Sequence, residues 1–255
     1  MALLDRFNVD VSDNLKDLTK RLNRIEKKVL PKTIHDTTRF LVADLKEVQK
    51  KEMKRVFDRP TRWTVNSVKM QYTRRSERDQ FGRVFFAENP GKGTPAYKYL
   101  SPHIFGGKGG QKRHEVALTK RGVLPAGGAT APGRDVRKDK HGNVTAAQYV
   151  KILSQLGASG EQGYLANQTA RSKARAGKRR NQFYVARKGG KAVGIRERTS
   201  KSRAKKILNF TDAPKTHPKR YDFYGLSERF VKQESPRKFV RALRNNVKKY
   251  MSGKK

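Results

Sequence analysis

The chain has 255 residues, of which 61 are Lys or Arg and 22 are Asp or Glu, a formal charge of +39. With 35% hydrophobic residues and a mean hydropathy of −0.90, it can build a modest core, and no apolar run approaches the roughly 20 residues that span a bilayer. It has no cysteine, which excludes disulfide scaffolds, Cys-ligated zinc and Cys nucleophiles. The opening Met1-Ala-Leu-Leu-Asp-Arg is too soon acidic for a secretory signal, so a protein made in a cytoplasm, without a membrane anchor, is expected.

The first segment reads as helix. Ser12 is a capping residue, and Leu15, Leu18, Leu22, Ile25 and Val29 recur at spacings of three and four, one apolar stripe for packing or assembly. Pro31 stands where such a helix would end. A second helix is expected over Ile34, Leu41, Leu45, Val48 and Val56, giving a helical hairpin or one kinked helix. The stripe suits packing within the chain, with an oligomer seam as the alternative.

Asp58-Arg-Pro60-Thr61 breaks the pattern, and the period changes to two. Trp63, Val65, Val68, Met70 and Tyr72 read as a bulged strand, with Arg83–Ala87 as the next one. Residues 89–143, rich in Gly and Pro, read as a long loop region, with a short helix near Lys112–Arg121 and a turn at His141-Gly142-Asn143. A capped helix follows from Thr145 to Leu156. Gln182–Ala186, Ala192–Ile195 and Lys206–Phe210 are strands, the first two joined at Gly189-Gly190. Asp222 caps a helix bearing Leu226, Phe230 and Val231, and Ser235-Pro236 restarts it with Phe239, Leu243, Val247 and Tyr250 on its apolar face. Helices followed by strands give an α+β fold, N-terminal helices packing on a small antiparallel sheet with a C-terminal helix. The expected division is a helical segment 1–58, an α+β core of 59–88 and 181–255, and a loop-rich basic insertion 89–180.

The charge is uneven. Residues 1–58 hold 14 basic and 10 acidic residues, a net of +4, whereas 59–255 hold 47 and 12, a net of +35. Such an excess calls for an anionic partner, and nucleic acid has that charge density. Arg171, Lys173, Arg175, Lys178, Arg179 and Arg180, in a stretch poor in apolar residues, are the candidate polyanion contacts. Phe183, Tyr184, Tyr221 and Tyr224 lie near cations and have the rings to stack on bases, although alternating aromatics in a strand also suit a core.

Signs of catalysis are sparse. There is no phosphate-loop or dinucleotide fingerprint, and His35, His103, His114, His141 and His217 show no metal-ligand spacing. His114-Glu115 reads as a surface pair. Asp79, Glu88, Asp135 and Asp139 are too isolated to hold catalytic Mg²⁺. No catalytic residue, metal or cofactor is expected.

One resemblance spans most of the chain. It is carried by Met53-Lys-Arg-Val-Phe-Asp-Arg-Pro-Thr61, a Trp/Val strand, Gly91-Lys-Gly-Thr-Pro-Ala-Tyr-Lys-Tyr-Leu100, Arg121-Gly-Val-Leu-Pro125, the late basic block and Pro236-Arg-Lys-Phe-Val-Arg-Ala-Leu243. In order and composition these residues resemble tail-completion proteins of tailed bacteriophages, the lambda-like minor tail protein Z family. Gly91–Leu156 looks like an insertion relative to shorter members. The resemblance implies a non-catalytic virion protein of the tail or head–tail junction. Its partners would be other tail or neck subunits, copies of itself in a ring or small set, and double-stranded DNA contacted without sequence readout. The alternative is a nucleic-acid-binding protein of ribosomal or packaging type; a nuclease would need a carboxylate cluster.

Overall fold

The computed structural model describes residues 23, 25–77, 79–88, 93–159, 169, 171 and 182–252. Among them are six α-helices and eight strands, all of whose pairings are antiparallel, and the class is α+β. They fall into two compact units. The first contains residues up to 53, 63–87 and 222 onward, and the second contains 54–62 and 88–221. The chain therefore divides differently from the expected three segments. The described residues of 93–159 are joined to the later strands: two of their helices share one hydrophobic core with them, and one strand pairs into the same sheet.

In the first unit a π-helical turn, Ile25–Val29, runs directly into α1 (Leu30–Val56). Pro31 lies inside this continuous helical run and does not end it: the wider π turn before it accommodates the missing N–H. Val29, Thr33, Thr37, Val42, Leu45, Gln49 and Met53 form the buried face. The Thr33 and Thr37 hydroxyls donate back to the Val29 and Thr33 carbonyls at 2.8 and 2.7 Å, which lets polar residues occupy that face.

A helical turn, α2 (Arg62–Asn66), then replaces the expected start of the first strand at Trp63, and β1 begins only at Val68. Strands β1 (Val68–Tyr72) and β2 (Gly82–Phe86) pair from Val68↔Phe86 to Tyr72↔Gly82. Gly82 sits against α1 so closely that a Cβ there would lie 2.6 Å from Val42 Cγ1.

The last helix of the fold lies antiparallel to α1. The Gln49 amide donates to the Phe223 carbonyl and to Ser227 Oγ, each at 2.8 Å; Lys238 pairs with Asp44; the Asn246 amide donates to Asp36 Oδ2 at 3.0 Å. This helix, α6 (Phe223–Met251), is capped by Asp222, whose carboxylate accepts from the Gly225 N–H. It runs unbroken through Pro236, where a restart had been expected.

The second unit is built on a four-stranded antiparallel sheet in the order β4-β7-β6-β5. Its strands are β4 (Ala129–Pro132), β5 (Gln182–Lys188), β6 (Lys191–Arg198) and β7 (Ala204–Thr211). Helices α4 (Arg113–Lys120) and α5 (Ala146–Gln155) cover one face. Leu118 and Ile152 from these helices meet Phe183, Ile195, Ile207 and Leu208 from the strands, with Leu124, Val136 and Val144 completing the core. Helix α3 (Ala96–Phe105) precedes a small pair, β3 (Gly107–Lys108) with β8 (Thr216–His217). The region read as loop thus holds, besides the expected short helix near Lys112–Arg121, a second helix and two strands.

Candidate nucleic-acid interface

Register fixes which side chains share a face of the four-stranded sheet, because alternate residues point to opposite sides. Val185, Ile195 and Leu208 are cross-strand neighbours on the side covered by α4 and α5. The intervening row therefore lies on the other side: Tyr184 opposite Arg196, and Arg196 opposite Lys206. One pair further along, Gln182, Arg198 and Ala204 align. The Arg198 guanidinium lies 5.3 Å from the centre of the Tyr184 ring, a diagonal cation–π contact that confirms the shared face.

A bulge preserves this arrangement. The register slips between Ile195 and Arg196, so Ile207 is an extra residue in β7. Ile207 and Leu208, adjacent in sequence, are both buried, while Lys206 stays on the outer face and is exposed.

Further cations surround the row. Lys201 and Arg203 occupy the β6–β7 turn, and Arg187, Lys188 and Lys191 flank the β5–β6 turn at the strand ends. Arg134, Arg137, Lys138 and Lys140 follow β4, where the Asp135 carboxylate accepts the Lys206 N–H at 2.9 Å. That backbone bond, with Arg134 and Lys205 nearby, holds the Asp135 carboxyl below the usual carboxylate range. Among the described residues, Arg196, Arg198, Lys205 and Lys206 have no carboxylate within 4 Å. By sequence, the second unit carries 34 basic and 8 acidic residues, a net of +26, against 27 and 14 in the first. An uncompensated row of cations on a sheet face, with one aromatic ring among them, is suited to phosphate oxygens and a stacked base.

Of the six cations singled out in the sequence, Arg171 is described and is exposed; Lys173, Arg175, Lys178, Arg179 and Arg180 lie outside the described residues. In the helical stripe, Val29 is buried, Ile25 is half-buried, and their π-helical turn packs against α6 of the same chain; Leu15, Leu18 and Leu22 lie outside the described residues. The four candidate stacking rings part company. Phe183 and Tyr221 are buried, Tyr224 is exposed in the first unit, and Tyr184 stands in the cation row. The row Arg196–Lys206 was not singled out beforehand. Its signal was the alternation Ile195-Arg196-Glu197-Arg198 facing Lys205-Lys206-Ile207-Leu208, legible only once the pairing is known.

The His114-Glu115 pair is a correction, since it is not at the surface. Glu115 is 2% exposed and accepts from Lys112 N at 2.6 Å, Thr130 N at 2.8 Å and Thr130 Oγ1 at 2.9 Å. Because the single Thr130 hydroxyl proton goes to Glu115, that oxygen accepts from His114 Nε2, 2.8 Å away, and the neutral ring is the Nε2–H tautomer. The cluster ties the start of α4 to β4. Its three side chains are buried.

His103 and His217 form a second histidine contact, with ring centres 4.3 Å apart and Arg220 Nε donating to His103 Nδ1 at 3.2 Å. Among the described residues no group of three His, Asp or Glu is placed to hold a metal ion, and no helix is long and apolar enough to cross a membrane.

No protein-family model, curated protein or solved structure matches this chain.

Proposed function

We propose that the chain is a non-catalytic structural protein of a tailed-phage virion, acting in tail completion or at the head–tail junction, and that the outer sheet face of its second unit contacts double-stranded DNA without reading its sequence. The observation that carries the DNA contact is the uncompensated row Arg196, Arg198 and Lys206 beside Tyr184. The virion assignment draws its support from the sequence resemblance. A ribosomal or packaging-type protein would use the same face on a single strand, with Tyr184 as the stacking ring.

Two measurements decide. Anisotropy of a labelled duplex, titrated with the full chain across a salt series, should give a steep linear dependence of log K on log salt, reduced in Arg196→Gln/Arg198→Gln/Lys206→Gln. An unchanged slope removes the sheet face from the binding surface. A protein inventory of purified phage, compared with particles from an amber mutant in this gene, should find the chain at low fixed copy number and leave mutant tails or junctions incomplete. Absence from particles overturns the virion assignment.

A further inference from the structure

Helix α6 carries three lengthwise stripes over its last four turns. Ala242 and Asn246 are buried, on the side from which Asn246 reaches Thr33 and Asp36 of α1. Val240, Leu243, Val247 and Met251 recur at spacings of three and four, on a shoulder turned roughly 120° from that face at 100° per residue. Val240 is 55% exposed and Met251 77%; with Leu243, Val247, Arg244 and Lys248 they line an open groove of about 680 Å³. Arg237, Arg241, Arg244 and Lys248 form the third stripe, along the border of the shoulder, and all four are exposed. Arg237 reaches Glu234 at 3.4 Å, whereas Arg241, Arg244 and Lys248 have no carboxylate within 4 Å among the described residues. No Asp or Glu follows Glu234 in the sequence.

We infer that this shoulder docks an acidic amphipathic helix of another protein, its apolar side on Val240, Leu243, Val247 and Met251 and its carboxylates on Arg241, Arg244 and Lys248. From residue 240 to 251 the helix rises about 16 Å, so an occupant of three turns suffices. Charge complementarity selects the occupant. A second copy of the same stripe would set like charges against each other. A nucleic acid gains nothing from Val, Leu and Met, which offer no stacking face. A lipid surface calls for a broader apolar face carrying Trp or Phe.

The test uses the full chain and a labelled 18-residue designed peptide with Leu at i, i+3, i+4 and i+7 and Glu on both flanks. Two controls accompany it: the same peptide with Gln for Glu, and a scrambled acidic peptide. The designed peptide should bind. Its affinity should fall about tenfold for Val240→Ser/Met251→Ser, and similarly for Arg241→Gln/Arg244→Gln/Lys248→Gln or for the Gln peptide. The first pair is exposed, so its fold should survive, as circular dichroism can check. It removes no charge, so its binding to duplex DNA should be unchanged and the two surfaces stay distinguishable. Equal binding of the scrambled peptide, or no effect of Val240→Ser/Met251→Ser, refutes the docking surface. A concentration-dependent dimer lost in that variant would assign the shoulder to self-association, and loss of binding to vesicles of anionic lipid would assign it to a membrane. Either result overturns the inference.

Discussion

The imidazole of His114 lies nearly flat on the phenol ring of Tyr149, with centroids 4.0 Å and planes 22° apart. The stack holds a histidine in the core of the second unit beside the Glu115 carboxylate, yet burial outweighs that carboxylate. The His114 pKa is pushed down to about 4, by burial first, with Glu115 opposing and Lys112 adding to the shift. His103 is also lowered to about 4, by burial and then by the charges of Arg220 and His217.

Stability should therefore fall in acid through these two rings. Both histidines bind protons more readily in the unfolded chain, so their contribution is complete above the ordinary pKa of 6.5 and is lost as pH drops from 6.5 toward 4. His114 should approach a slope of about 1.4 kcal/mol per pH unit in that window, and the more exposed His103 should add less. Urea unfolding at pH 7.5, 5.5 and 4.5 measures this, and His114→Gln should flatten the dependence. An equal acid loss in that variant would place the effect elsewhere.

Glu115→Ala should be among the most damaging single changes in the second unit. It strands the Lys112 and Thr130 amide protons and the Thr130 hydroxyl in a buried site, at a cost of about 3 kcal/mol. A urea midpoint within error of the wild type would show that water reaches the cluster.

Gly133→Ala tests the sheet edge by sterics alone. A Cβ at Gly133 would stand 2.2 Å from the Lys206 carbonyl oxygen, and the Gly133 N–H donates to the Ile207 carbonyl at 2.8 Å. The backbones would have to separate, with a loss of about 3 kcal/mol and a Tm lower by several degrees. Because the same movement shifts Lys206, weaker DNA binding at unchanged salt slope should accompany it.

The two sets of cations should act independently on DNA. Each lost phosphate contact removes about 0.9 from the salt slope, so neutralising Arg196, Arg198 and Lys206 should lower it by up to about 2.7. Neutralising Arg171, Lys173, Arg175, Lys178, Arg179 and Arg180 should flatten it further. If the second set changes nothing, those six residues do not touch the polyanion.

Much of the architecture could be read from local pattern. The second helix, the strand alternation Phe183-Tyr184-Val185 and the Asp222 cap each depend on near neighbours, although α1 buries Leu45 with Val42, Gln49 and Met53 and leaves the expected Ile34 exposed. The two prolines were misread because position within a helix decides their effect. Pro31 follows a π-helical turn that accommodates its missing N–H within a continuous run, and Pro236 is carried inside a long helix held along its length by Lys238, Ala242 and Asn246. The role of Glu115 was missed because its partner Thr130 lies fifteen residues away. The cation row depends on a bulge, and one slipped residue decides which side chains face outward.

The pairing of α1 with α6 also orders events in time. Gln49 waits for Phe223, Asp44 for Lys238 and Thr33 for Asn246, partners 174 to 213 residues later. The residues of the second unit leave the ribosome before α6 does, so that unit has everything it needs to close first. The first unit is left as a helix lacking its mate until the final stretch is translated. A chain released before residue 223 should thus carry the strongly cationic second unit and an open face on α1. Premature termination would release a molecule that still holds the cationic sheet face but has lost α6.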